Sequence, residues 1–233
     1  MIYAGIVSGG TGTRMGADIP KQFLKLCEKP IIIHTLERFS AANEIDKIYI
    51  GVHPEWTEYC IDLIDKYGFS KERVSVVKGG SDRNATVFSI IGQIESDFGI
   101  NGNDIILTHD GVRPFVKKEV ILDNIEAALK YGACGTYIAA VDTIIQSANG
   151  KTVSCVPDRA QMFQAQTPQT FNISELIKVY SSLSDDEKSN LTDTCSIYTA
   201  MGLPIRIVKG DNYNIKITTV KDLKLAEFIA SKL

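Results

Sequence analysis

The sequence predicts an α/β fold, a mostly parallel, doubly wound sheet with one projecting β-arm, built by residues 1–233 as a single domain. Three observations predict it. Short runs of β-branched and aromatic residues alternate with longer segments whose apolar residues recur at helical spacing. The strand-like runs are nearly continuously apolar, as strands covered on both faces are. Between about residues 136 and 171 the alternation stops, and strand-like runs follow one another with no helix between them.

Residues 3–7 read as the first strand and lead into a glycine-rich loop ending at Gly16. Pro30 stands at the first turn of a helix reaching Phe39, where its missing N–H costs no hydrogen bond. Residues 47–52 form the next strand, followed by a helix from Pro54 to Tyr67 that Gly68 ends. Residues 74–77 are a strand, and Val87, Ile90, Ile91 and Ile94 mark one face of the helix after it. Residues 105–108 and the helix marked by Ile121, Ile125, Ala128 and Leu129 complete the regular pattern. Residues 136–140, 143–146 and 151–156 read as strands of the arm, with Asn149-Gly150 as a hairpin turn. Helical pattern resumes near Ser174 and after Thr192, residues 205–208 are a strand, and a helix from Val220 closes the chain. Ser184-Asp185-Asp186-Glu187 has the pattern of a capping box.

Composition excludes several classes. Lys and Arg number 25 against 28 Asp and Glu, a net charge of -3, whereas nucleic-acid and membrane-surface binders carry a basic excess. The five cysteines are an odd number with no Cys-x-x-Cys pair, which points to reduced, packed thiols. The N-terminus lacks the basic start of a signal peptide, and no apolar run approaches the roughly 18 residues of a membrane span. A cytoplasmic protein is expected.

Candidate site residues cluster in loops that follow strands, where open α/β sheets bind ligands. Ser8-Gly9-Gly10-Thr11-Gly12-Thr13-Arg14-Met15-Gly16 follows the first strand directly. Its glycines let backbone N–H groups close on phosphate oxygens. It is neither a Gly-x-Gly-x-x-Gly loop, since Met15 occupies the third glycine's place, nor a Walker A loop, which needs Gly-Lys-Ser/Thr. Arg14 within it and Lys21 just after it suit a polyphosphate whose charge shifts during reaction. Gly79-Gly80-Ser81-Asp82-Arg83-Asn84 opens a helix; it is either a plain turn with a cap or a site for a base or phosphate. Asp110, in His109-Asp110-Gly111-Val112-Arg113-Pro114, either pairs with Arg113 across a turn or sits near Mg²⁺. His109 reads as a structural histidine. Arg159, at the arm tip, and Lys216, in a strand-like run, would both be ordinary solvated cations on local pattern alone.

These segments together resemble the cytidylyltransferase family that makes CDP-alcohols from CTP and a polyol phosphate. The matching stretches are residues 8–15, Pro20-Lys21-Gln22-Phe23, 79–84, 109–114, Gln166-Thr167-Pro168-Gln169, Thr192-Asp193 and Asn214-Ile215-Lys216-Ile217-Thr218, in order along nearly the whole chain. The resemblance implies a Rossmann-like nucleotidyltransferase sheet. Of the family's two branches, residues 79–84, 192–195, 183–185 and 213–216 look like the one that makes CDP-ribitol from ribitol 5-phosphate for teichoic acid or capsule polymers. The other branch makes CDP-methylerythritol for isoprenoids. Two positions depart from the family's pattern: Ser8 stands where alanine is usual, and Gly111 where alanine or serine is usual.

Carried over by position, the resemblance implies that Val7, Ser8, Gly9 and Gly10, with Asp82, Arg83, Asn84, Ala85, Thr86, Val87 and Phe88 and with Gly111, hold CTP. It implies that Arg14 and Lys21 stabilise charge on the α-phosphate, and that Arg159 and Lys216 position the acceptor phosphate. It further implies Mg²⁺ accompanying CTP, with Asp110 as the candidate residue near it, and a homodimer whose arm reaches the partner's site. A reductase that supplies the acceptor is a possible partner. A dinucleotide-dependent oxidoreductase and a non-catalytic nucleotide sensor are the alternatives from other classes; the misplaced third glycine counts against the first, and the Arg14–Lys21 pairing against the second.

Overall fold

The computed structural model describes residues 1–10 and 19–232. The β-branched runs become β1 (Ile2–Ser8), β4 (Lys47–Val52), β5 (Val74–Lys78) and β6 (Ile105–Asp110), with the short strands β2 (Lys25–Leu26) and β3 (Lys29–Pro30) after the first loop. The helical segments become α1 (Ile31–Ser40), α2 (Thr57–Lys66), α3 (Arg83–Phe98) and α4 (Lys118–Tyr131). The rest of the chain forms β7 (Ala133–Ala139), β8 (Phe163–Asn172), α5 (Ile173–Ser181), α6 (Asp185–Ser189), α7 (Cys195–Ala200), β9 (Arg206–Lys209) and α8 (Val220–Ala230). Ser184 and Glu187 close the expected capping box at the start of α6.

Seven strands make one sheet in the order β5-β4-β1-β6-β8-β7-β9. β1, β4, β5 and β6 run parallel, β7 and β9 pair parallel, and β8 alone runs against its neighbours β6 and β7. Both faces are covered. Alternate residues of β1 divide between them: Ala4 and Ile6 pack with Ile32, Leu36, Ile64 and Ile121 on the side of α1, α2 and α4. Tyr3 packs with Ile90, Leu176 and Ile197 on the side of α3, α5 and α7. A third cluster, with Leu26, Val112, Ile217 and Ile229, seats α8 against the β2–β3 hairpin and the loop after β6. No helix among the described residues is long and apolar enough to cross a membrane. From β1 the chain winds outward to β4 and β5, then returns to place β6 on the other side of β1. This reversal opens a crevice at the carboxyl ends of β1 and β6, the usual ligand position in such sheets.

The structure differs from the sequence reading between residues 136 and 171. The arm proper is residues 140–162, because β7 and β8 belong to the main sheet. Within it, the expected strands at 143–146 and 151–156 reduce to a single bridge, Gln146 to Cys155. The turn does form: Gly150 has φ +68°, and the Asn149 side chain accepts from the backbone N–H groups of Lys151 and Thr152. Those N–H groups satisfy a local oxygen, and the arm has no third strand to pair with, so the ladder does not extend. β8 is the strand that sequence pattern does not signal, since Gln164, Gln166, Pro168 and Gln169 lack strand character. Side chains of its neighbours hold it instead: Thr108 Oγ1 donates to the Gln169 carbonyl at 3.0 Å, and Thr136 Oγ1 to that of Pro168 at 2.7 Å. The segment around Lys216 is a loop and not a strand.

His109 is a structural histidine. It is fully buried on β6, its ring 4.8 Å from that of Phe39. Nε2 faces the Arg113 carbonyl at 3.2 Å and so carries the proton, while Nδ1 accepts from Thr167 Oγ1 at 2.9 Å. Burial drives its pKa down to about 3, against the opposing pull of Asp110 and the Arg113 carbonyl. Between that value and the ordinary 6.5 the unfolded chain binds a proton that the folded one refuses, so stability rises with pH. Acidification below pH 6.5 is expected to cost up to about 1.4 kcal/mol per pH unit from this residue. Denaturant unfolding of the wild type and His109→Gln at pH 5 and 7 should show a smaller pH difference in the variant.

Candidate active site

The crevice at the ends of β1 and β6 is built by backbone first. Val7 lies in register with Asp110, and the Gly111 N–H donates to the Val7 carbonyl at 2.9 Å. Gln22, almost fully buried after the first loop, donates Nε2 to the Ser8 carbonyl at 2.7 Å and to that of Gly10 at 3.2 Å. One side chain thus fixes both ends of the Gly9-Gly10 turn. Across the crevice, Asp82 caps α3 by accepting from the Ala85 N–H, and Thr86 Oγ1 accepts from the Gly80 N–H at 3.1 Å. The resulting cleft, about 230 Å³, is lined by Val7, Ser8, Gly9, Gly10, Lys21, Gln22, Gly80, Ser81, Asp82, Arg83, Thr86, Asp110, Val112 and Lys216. A glycine turn facing the positive end of a helix, with cations between them, suits a polyphosphate.

Asp110, at the tip of β6, is the electrostatic centre. The residue is 6% exposed, yet three cations reach its carboxylate. Arg83 Nε lies 3.2 Å from Oδ1, and Arg113 Nε and Lys216 Nζ lie 3.2 and 3.0 Å from Oδ2. Burial alone would raise its pKa; the attraction of Arg83, Lys216 and Arg113 overcomes that and holds it well below the usual carboxylate range. Each cation arrives from a different element. Arg83 is the first residue of α3, Arg113 follows β6 and donates NH1 to the Asn214 carbonyl at 2.8 Å, and Lys216 sits in the loop before α8. Asn214 and Ile217, both fully buried, fix that loop on either side of Lys216; Asn214 Nδ2 donates to the Thr167 carbonyl, and the Ile217 N–H to that of Val112.

A second cleft adjoins the first and shares Arg83, Asp110 and Lys216 with it. Its remaining walls are mainly polar: Arg113, Gln166, Thr167, Gln169, Thr192 and Asp193, with Ala165. Gln169 ties the wall together, accepting at Oε1 from the N–H groups of Thr194 and Cys195 and donating Nε2 to Asp193. Two anion-attracting clefts meeting at one cation cluster can hold two charged substrates with their phosphates adjacent.

Of the residues expected from sequence, Val7, Ser8, Gly9, Gly10, Lys21, Asp82, Arg83, Thr86 and Lys216 line the first cleft. Arg14 lies outside the described residues, as does the loop from 11 to 18. Arg159 stays on the arm, donating NH1 to the Val141 carbonyl at 3.0 Å, and lines neither cleft. Only the first turn of α3 faces the cleft. Asn84 turns toward the Asp193 carbonyl, Ala85 serves the cap, Val87 is buried in the core, and Phe88 stacks on Tyr180 with ring centroids 4.0 Å apart. Gly111 packs behind Ser8. Asp110 does not fit a directly coordinated Mg²⁺: both carboxylate oxygens are bound to cations, and no group of three metal-ligating side chains occurs among the described residues. A hard cation arriving with CTP would be held by the phosphates and its own waters. Of the two sequence readings of Asp110, the pairing with Arg113 across the turn is the one that forms; Gln22, Gln169 and Thr194 were left without roles.

The two departures from the family's pattern occupy one volume. A Cβ added at Gly111 would overlap Ser8 Oγ, so the hydroxyl at 8 fills the space that a methyl at 111 would take. Gly111→Ala alone is therefore expected to destabilise the protein by about 1–3 kcal/mol through overpacking and to lower activity. Ser8→Ala/Gly111→Ala should recover most of both, and a double-mutant cycle on thermal unfolding and turnover measures the coupling.

Comparison with known proteins agrees with this geometry. The family model for 2-C-methyl-D-erythritol 4-phosphate cytidylyltransferase (IspD) matches residues 2–232. A ribitol-5-phosphate cytidylyltransferase of Streptococcus pneumoniae (strain Hungary19A-6) is 47% identical over 234 residues, covering 100% of both chains. Among solved structures, the 4-diphosphocytidyl-2C-methyl-D-erythritol synthase of Anaerococcus prevotii superposes with a TM-score of 0.80 at 25% identity, covering 99% of this chain and 98% of its own. The 2-C-methyl-D-erythritol 4-phosphate cytidylyltransferase of Francisella tularensis gives 0.80 at 28% identity, covering 97% and 98%. With a cation-lined double cleft at the sheet's switch point and these matches over its whole length, the chain belongs to the IspD family of cytidylyltransferases.

Proposed function

We propose that this enzyme transfers CMP from CTP to D-ribitol 5-phosphate, giving CDP-ribitol and pyrophosphate. The observation that carries the reading is the pair of clefts meeting at Arg83, Asp110 and Lys216, one walled by the glycine turn and the other by polar side chains. The polar wall suits an acceptor rich in hydroxyls. Full-length identity of 47% to a ribitol-5-phosphate cytidylyltransferase supports the acceptor, against 25% and 28% to the two methylerythritol enzymes of known structure described above.

In this reading an oxygen of the acceptor phosphate attacks the α-phosphorus of CTP in line. The new P–O bond forms as the bond to the β-phosphate oxygen breaks, and pyrophosphate leaves with the electron pair. The attacking phosphate is already anionic at neutral pH, so no general base is required, and rate comes from positioning and charge stabilisation. Arg14 and Lys21 carry the charge that develops on the transferred phosphoryl group. Lys216 directs the acceptor phosphate, and Arg159 joins it from a second copy. The arm's exposed Val141, Ile145, Val153 and Val156 support such a homodimer by offering apolar surface for a partner to cover. CDP-ribitol would then feed teichoic acid or capsule polymers, with a reductase supplying the acceptor.

A pyrophosphate-release assay with CTP or UTP and ribitol 5-phosphate, methylerythritol 4-phosphate or glycerol 3-phosphate tests this. CTP with ribitol 5-phosphate is expected to give the highest kcat/KM, by at least roughly 10–200-fold over the branched acceptor, which has a shorter chain, one hydroxyl fewer and a methyl branch. Preference for methylerythritol 4-phosphate would overturn the acceptor, and preference for UTP would overturn the nucleotide.

A further inference from the structure

Arg83 stands in the wall common to both clefts, and its guanidinium is held at two of its three nitrogens. Nε binds Asp110 Oδ1 at 3.2 Å, and NH1 donates to Thr194 Oγ1 at 2.7 Å, from a residue 111 positions away in sequence. NH2 is buried and has no acceptor among the described residues. Thr194 is itself fixed. It is fully buried, its N–H donates to Gln169 Oε1 at 3.2 Å, and its hydroxyl donates to Asn84 Oδ1 at 3.4 Å. With the hydroxyl proton directed at Asn84, its lone pair faces Arg83. A planar guanidinium pinned at Nε and NH1 cannot rotate, so the part of Arg83 that lines both clefts is held in one orientation, and the partner it suits is an anionic oxygen such as phosphate.

We propose that Thr194 is a positioning residue for the acceptor: its buried hydroxyl orients Arg83 so that the guanidinium grips the acceptor's phosphate where the two clefts meet. This rests on the preceding reading that the second cleft takes the acceptor. The choice of acceptor over CTP comes from the company Arg83 keeps. Its Nε partner Asp110 also holds Lys216, and its NH1 partner belongs to the loop that walls the second cleft, whereas Gly9 and Gly10, which suit the CTP phosphates, line the first cleft alone.

Thr194→Val keeps the shape and removes the lone pair, while Thr194→Ser keeps the hydroxyl. Steady-state kinetics should be read with whichever polyol phosphate the wild-type enzyme accepts, so a different acceptor overturns the earlier reading and leaves this test intact. Thr194→Val is expected to raise the acceptor KM about tenfold, the worth of one hydrogen bond from a charged donor, with the KM for CTP within about twofold of wild type. Thr194→Ser should stay near wild type in both. Should the valine variant not fold, Thr194→Ala carries the same expectation. An unchanged acceptor KM, an equal rise in both KM values, or a serine variant as impaired as the valine one would overturn the proposal.

Discussion

The structure depends on one buried carboxylate. Taking Asp110 out of water costs several kcal/mol by itself, and removing one partner from a buried ion pair usually costs about 3–5 kcal/mol. Here three cations offset that cost, each delivered by a separate segment of the fold: the start of α3, the turn after β6 and the loop before α8. The carboxylate therefore joins three elements that are distant in the sequence. It also leaves a surplus. Three positive groups against one negative make a local net charge of +2 in a chain whose total is -3. An acidic protein can bind two anionic substrates only by such local concentration, and the surplus faces both clefts.

Among the described residues, no histidine lines either cleft. His109, the one histidine beside Asp110, is held neutral in the core and spends both ring nitrogens on structure. What remains at the crevice is a set of fixed dipoles and cations, and these are the tools for moving a phosphoryl group whose nucleophile is already charged.

Much of this was legible in the sequence, for reasons that differ by element. β1, β4 and β6 are buried on both faces, so their apolar runs stand out, and the cap residues of α3 and α6 follow local rules. Lys21, Arg83 and the paired glycines were visible as residue types placed after strands, whereas Lys216 stood out only through the family resemblance, since local pattern reads it as a solvated cation. β8 was not, because neighbouring side chains satisfy its polar residues across the sheet, and no local pattern reports that. Nor was the company that Asp110 keeps, since Arg83 and Lys216 reach it from distant segments. Ser8 and Gly111 read as two separate departures, and their shared volume emerged only once β1 and β6 lay side by side.

The claim that Asp110 organises the site is tested most directly by the acceptor kcat/KM of Asp110→Asn, which keeps the shape and removes the charge. Loss of the anion should free Lys216 and Arg83 from their positions and lower kcat/KM by about a hundredfold, within the range for unpairing a buried charge. A value within about threefold of wild type, less than 1 kcal/mol, would contradict the account.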